Sequence, residues 1–244
     1  MSEDAWVDDH EALTRLRSLG VRGDSAGLVA ALSQEPWPGD SLQLIGEGLL
    51  AAVRGSTDGS AALALDCVSA LQERRWDGDR ELVEVLEAAL GKGPTPLLRP
   101  LQVDLEELSM ILEGDPVQGG GRIDLATGQV WPQSALDYAE EIGEEDEDDP
   151  DRWLWVDCEG SRNAYQDMVW FIEELDDPNL GERLTRAISG RGAFRRFKDA
   201  LSDRPELMTR WYAFSNDRQR GRARRWLAAG GRTPTRPHST GLAT

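Results

Sequence analysis

The sequence predicts a mainly α-helical chain in two parts. The first is an all-α N-terminal helical domain; the second is an α+β C-terminal domain with a small antiparallel sheet and about four helices. Three observations lead there. Residues 8–92 carry apolar positions at helical spacing between short Gly- and Asp-containing breaks. Ile123-Asp124-Leu125 and Gln129-Val130-Trp131 flank Ala126-Thr127-Gly128, which places alternating segments on both sides of a glycine-containing turn. From residue 161 onward the apolar spacing is again helical.

Within residues 1–92 two stretches match at an offset of 39 residues. Val29-x-Ala31-Leu32 leads into Trp37-x-Gly39-Asp40, and Val68-x-Ala70-Leu71 leads into Trp76-x-Gly78-Asp79. Each copy ends one helix, turns, and offers an Asp to cap the next, over about 41–53 and 80–90. A period near 40 with two helices per unit fits two α-solenoid-like repeats. An ordinary helical bundle with similar turns fits equally well.

Gly91-Lys92-Gly93-Pro94-Thr95-Pro96 marks a linker over 93–103. Asp104 caps a short helix with Leu105, Leu108, Ile111 and Leu112 on one side, and Gly119-Gly120-Gly121 breaks the chain before the hairpin. Trp153-Leu154-Trp155-Val156 reads as a third strand. Residues 140–151 hold nine acidic side chains in twelve positions, a self-repelling run expected as a solvated loop. Tyr165, Met168, Ile172 and Leu175 then share a helix face. Asp177-Pro178 starts the next helix with a cap and a first-turn proline. Gly190 to Gly192 separates it from a helix whose Phe194, Phe197 and Leu201 face one way, and Asp203-Arg204-Pro205 opens the last. That last helix carries Trp211, Phe214, Trp226 and Leu227 and a break at Gly221. The second domain spans 104–228, and 229–244 reads as a disordered tail.

Charge divides the chain unevenly. Residues 181–244 carry 15 Arg or Lys against 5 Asp or Glu, a net of +10, within a chain of net −18. Nine Trp residues argue for packed cores rather than disorder. The acidic N-terminus has no apolar run behind it, and no stretch reaches the ~18 apolar residues of a membrane span. With two distant cysteines, Cys67 and Cys158, a reduced cytoplasmic setting is the expectation.

At 190–199 stands G-R-G-A-F-R-R-F-K-D, followed by Trp211-Tyr212-x-Phe214. With the D-L-E-E-L at 104–108, Asp124-x-x-Thr127-Gly128-x-Val130, the acidic run and Phe171-Ile172-Glu173, it resembles Uncharacterised Protein Family 0158, a group of bacterial proteins. The resemblance runs from about Asp104 to Leu227 and leaves the N-terminal part uncovered. It implies no reaction, cofactor or catalytic residue.

Catalytic chemistry finds little support. His10 and His238, the two histidines, lie near the ends, outside any domain that a triad or metal site would need. Cys67 sits among Ala, Leu and Val, as a small core residue does, and the neighbours of Cys158 are acidic, which disfavours a thiolate. Asp157 and Glu159 fit a solvated strand end better than a cation site. The sequence leans away from an enzyme and indicates no cofactor and no metal.

Anion binding is better supported. Ser189, Gly190, Arg191 and Gly192 precede a helix, whose N-terminus favours an anion, and Arg191, Arg195 and Arg196 can supply guanidinium contacts. Arg195 and Asp199, four apart, can also pair with each other. A purely structural role fits the same residues: glycines for a tight turn, phenylalanines for a core, arginines for the surface. Further on, Arg218, Arg222 and Arg225 recur at i, i+4, i+7 with Arg220 and Arg224 beside them, a stripe that suits a polyanion. The acidic run at 140–151 is a candidate to neutralise it. The reading that fits best is a non-catalytic binding or adapter protein with a protein partner or acidic ligand at its basic C-terminal face. The alternative is binding of RNA or single-stranded nucleic acid. An enzyme acting on a phosphorylated small molecule comes third.

Overall fold

A computed structural model describes residues 3–34, 37–38, 40–117, 119–141 and 149–235, with side chains from residue 11 onward except at 139–141. The described residues are mainly helical, with a small antiparallel sheet in the C-terminal region. They divide into two compact units: residues up to Pro100 together with 216–233, and residues 101–215 together with 234–235.

The first unit begins with α1 (Glu3–Arg22), α2 (Ser25–Gln34), α3 (Leu42–Arg54), α4 (Ser60–Arg74) and α5 (Asp79–Ala89). Both copies of the repeated stretch therefore form helix pairs, α2–α3 and α4–α5, and α3 packs on α2, α4 and α5. Leu28, Leu32, Ile45, Leu49, Leu71, Leu82 and Leu86 are buried between them, the apolar stripe that the spacing anticipated. Cys67 lies wholly buried on α4. Burial first, then the Asp217 carboxylate, pushes its thiol up to about 12, so it stays protonated.

The W-x-G-D turn works differently from a simple cap. Gly39 of the first copy lies outside the described residues. In the second copy Gly78 takes the N-cap position in the left-handed region, φ +80°. Asp79 begins α5 and turns its carboxylate back, accepting from the Trp76 N–H at 2.8 Å and from Arg74 at 2.7 and 3.0 Å.

Strand β1 (Arg99–Gln102), inside the expected linker, spans the boundary at Pro100, and α6 (Leu105–Leu112) follows in the second unit. Asp104 caps α6, accepting from the Glu106 N–H at 2.7 Å. Strands β2 (Gly121–Asp124), β3 (Val130–Pro132) and β4 (Trp153–Val156) form an antiparallel sheet in the order β3-β2-β4, with Arg122 opposite both Trp131 and Trp155. The hairpin turn closes on Asp124, whose carboxylate accepts from the N–H groups of Ala126 and Thr127. Gly128 is required there: φ is +77°, and a Cβ would stand 1.3 Å from the Gln102 carbonyl oxygen. Ile123 and Val156 bury one face of the sheet.

A helix α7 (Gln133–Glu141), absent from the sequence reading, follows β3. It takes in the first two residues of the acidic run; residues 142–148 lie outside the described residues. Then come α8 (Arg162–Glu173), α9 (Pro178–Ile188), α10 (Ala193–Leu201) and α11 (Pro205–Ala229). Asp177 caps α9 through the Leu180 N–H at 3.1 Å, with Pro178 in the first turn as expected. Phe171, Phe197, Trp211 and Phe214 form the core of this unit, with edge-on rings 4.7 Å apart for Phe197–Trp211 and 5.3 Å for Phe171–Trp211.

Helix α11 runs unbroken through Gly221, and from Asn216 onward it belongs to the first unit, not to the second domain that the sequence suggested. Residues 232–235, expected in a disordered tail, form strand β5 (Arg232–Thr235), and the Arg99 N–H donates to the Gly231 carbonyl just before it. No helix among the described residues is long and apolar enough to cross a membrane.

Candidate anion-binding groove

Two helix N-termini of the second unit line one groove of about 620 Å³: Ser161, Arg162 and Tyr165 from α8, and Gly190, Gly192, Ala193, Phe194 and Arg195 from the turn into α10. The local sequence explains both ends. Gly160 (φ +81°) turns the chain into Ser161, the N-cap of α8; Gly190 (φ +85°) and Gly192 (φ +73°) take left-handed conformations that let α9 hand over to α10 within four residues. No side chain caps either helix, so the first-turn N–H groups of α8 and α10 are not spent on a cap. Tyr165 and Phe194 add half-exposed rings to the groove. Phe194 thus leaves the core face that it was expected to share with Phe197 and Leu201, both fully buried.

The arginines of the motif divide by role. Arg195 is exposed and lies 3.7 Å from Asp199, the i,i+4 pair expected from the sequence. Arg162 and Arg191 are exposed and pair with no carboxylate among the described residues. Arg196 turns away from the groove. Its Nε donates to the Ala187 carbonyl at 2.8 Å and one Nη to the Ser189 carbonyl at 2.7 Å, closing the C-terminal end of α9. Ser189 itself donates through Oγ to the Thr185 carbonyl. Replacing Arg196 by Ala is expected to cost about 1 kcal/mol in urea unfolding and to leave anion binding at the groove unchanged.

The arginine stripe of α11 is not a surface. Arg218, Arg222 and Arg224 are 6%, 5% and 2% exposed, and Arg220 is buried as well. Arg224 donates to Gln43 Oε1 at 2.8 Å and to Glu47 at 2.6 Å; Arg220 donates to the other Glu47 oxygen at 3.0 Å. Arg218 lies over the Trp76 ring, 4.9 Å from its centroid, and Arg74 lies over the same ring at 4.0 Å. Arg74 in turn holds Asp79 and Asp217, and Gln43 donates its N–H to Asp217 at 2.8 Å. Arg225, half-exposed, pairs with Asp77. Glu47 and Asp77 of the first unit thus pair with the stripe. A polyanion would find these guanidiniums buried and already engaged.

Cys158 donates to the Ile111 carbonyl at 2.9 Å, and burial, then Asp115 and Asp157, push its thiol pKa up. Glu159 accepts from Asn163 at 3.2 Å. Among the described residues no group of three His, Cys, Asp or Glu is placed to hold a metal ion. The side chain of His10 and all of His238 lie outside the described residues.

The family model described as Uncharacterised protein family (UPF0158) matches residues 123–235. A UPF0158 protein of Pseudomonas aeruginosa is 31% identical over 130 residues, which cover 53% of this chain and 84% of that protein. The chain belongs to uncharacterised protein family UPF0158. No solved structure matches it. The UPF0158 match contains the sheet from Ile123, the groove and the whole of α11, and leaves the N-terminal helices outside. Within it the sequence reading located the α10 side of the groove and missed Ser161, Arg162 and Tyr165. The available signal was Gly160-Ser161 ahead of a helical pattern, a second uncapped helix start, but only packing of α8 against α10 sets the two side by side.

Proposed function

We propose that this UPF0158 chain is a non-catalytic binding protein whose second unit takes an anionic group, a phosphate or carboxylate of a partner, in the groove between α8 and α10. One observation carries the reading: two helix N-termini without side-chain caps share a groove that also carries Arg162 and Arg195. Oriented N–H groups and helix dipoles favour negative charge there, and guanidiniums add directed donors. The groove is lined by no carboxylate among the described residues, so it offers anion donors without a general base, which favours binding over catalysis. The rest of the notable positive charge, on α11, is spent internally, which withdraws support from a long polyanion track along that helix. The N-terminal helices supply the surface for a protein partner in this reading.

The test is titration of the full chain with inorganic pyrophosphate at low salt, followed by isothermal calorimetry. The Arg162→Gln/Arg195→Gln double variant is expected to bind at least ~10-fold more weakly, in line with the loss of charge-assisted hydrogen bonds. Equal binding by the double variant, or none by the parent chain, sinks the reading.

A further inference from the structure

The groove between α8 and α10 offers more than charge. Tyr165 from α8 and Phe194 from α10 line it at 39% and 36% exposure. Among the described residues neither ring stacks on another ring or has a cation over its face, whereas Phe171, Phe197, Trp211 and Phe214 pack on one another in the core of the same unit. Single exposed rings are ordinary on a protein surface; two in one groove mark a binding face. Arg162 lines the groove and Arg191 sits in the turn between Gly190 and Gly192; both are exposed and without a carboxylate partner among the described residues. Arg195 meets Asp199 at 3.7 Å, but both are exposed, and such a pair contributes little in water. One turn beyond Phe194 on α10, the exposed Lys198 carries the positive charge onward, its Nζ 5.6 Å from the centroid of the Tyr212 ring.

We propose that this groove binds single-stranded nucleic acid, with bases stacked on Tyr165 and Phe194 and phosphates paired with Arg162, Arg191 and Arg195, an assignment that rests on the anion-binding reading of the same site. A simple anion would use the cations and leave both rings facing water. A phosphotyrosine joins a ring to a phosphate, but a single phosphate is one anion against three arginines. A strand repeats ring and phosphate at every step and so meets both sets. Its sequence goes unread. Among the described residues no Asn, Gln, Asp or Glu side chain lines the groove to pair with a base edge, while every base has a face to stack. A duplex keeps its base faces inside the stack, so the rings favour a single strand. The chain's net charge of −18 repels a polyanion elsewhere and confines it to this face.

The experiment titrates the full chain at low salt into a fluorescein-labelled twelve-nucleotide oligo-U strand and reads binding as fluorescence anisotropy. Isothermal calorimetry with inorganic pyrophosphate reads the anion donors alone. Tyr165→Ala/Phe194→Ala is expected to weaken strand binding at least ~10-fold, the effect of two lost stacking contacts, and to leave pyrophosphate binding unchanged. Tyr165→Phe/Phe194→Tyr, which keeps both rings, should retain strand binding, and circular dichroism checks the fold of each variant. Arg162→Gln/Arg195→Gln should weaken the binding of both ligands. With three phosphates neutralised, log K should fall against log salt with a slope of about −2. Strand binding at parent strength by the alanine variant overturns the assignment, as does a parent chain that takes pyrophosphate and not the strand; in both cases the anion groove stands. A duplex of the same length bound as tightly as the strand overturns it too, since charge alone would then suffice, and this comparison decides where the alanine variant fails to fold. Displacement of the strand by a tyrosine-phosphorylated peptide at equal concentration gives the groove to a phosphoprotein and overturns the assignment likewise. If the parent chain binds neither pyrophosphate nor the strand, the anion-binding reading falls with it.

Discussion

Replacing Glu47 by Leu is expected to destabilise the protein by about 3–5 kcal/mol, the range for breaking a buried ion pair from one side. Glu47 is the carboxylate that Arg220 and Arg224 share, at 3.0 and 2.6 Å, and the Arg224 side chain is 2% exposed. Without Glu47 both arginines keep the desolvation cost of burial and lose the shared charge that offsets it. Urea unfolding should show a lower midpoint with an unchanged slope. Because the pair is buried, raising salt from low to moderate concentration should leave the difference nearly intact. The double variant Glu47→Leu/Arg224→Met should recover part of the loss, since replacing both partners with apolar groups removes the stranded charge. A loss under about 1 kcal/mol, the level of an exposed pair, would show that water reaches this network.

The second large effect lies where α11 crosses the W-x-G-D turn. A Cβ on Gly221 would stand 2.0 Å from the Asp77 carbonyl oxygen, and one on Gly78 would stand 2.1 Å from the Gly221 carbonyl oxygen. In both cases the obstacle is backbone, which cannot swing aside as a side-chain tip does. Gly221→Ala is expected to cost about 3 kcal/mol, at the upper end of overpacking, by forcing helix and turn apart. Gly78→Ala adds the left-handed penalty at φ +80°, about 1–2 kcal/mol more. Thermal or urea unfolding measures both. Gly91→Ala is the control: its φ of +69° carries the left-handed penalty, but no atom lies within 4 Å of its Cβ position. It should therefore lose only that penalty. Equal losses at Gly91 and Gly78 would refute the close approach.

Gly221 also shows why one residue is legible in kind but not in role. Glycine inside a helical pattern is an ordinary break signal. Here the helix continues, and the missing side chain serves a crossing with a turn about 140 residues earlier in the chain. The local rules worked where their causes are local. Asp104 and Asp177 cap the helices they precede, the Ala126-Thr127-Gly128 turn joins the hairpin, Trp153–Val156 forms the third strand, and Arg195 meets Asp199. Helix α7 was hidden because its composition merges into the acidic run that follows it.

The sequence by itself determined the helical character of both ends, the position of the sheet, the caps and the resemblance to UPF0158, because these depend on side chains within a few residues of each other. Which way the basic residues face was decided only by tertiary structure. An i, i+4, i+7 row of arginines reads the same whether water or carboxylate stands opposite. Opposite Arg220 and Arg224 stand Gln43 and Glu47, and opposite Arg225 stands Asp77, all from the far end of the chain. Desolvation with full pairing turned the apparent polyanion stripe into internal structure. The exposed donors of the second unit remain at the α8–α10 groove.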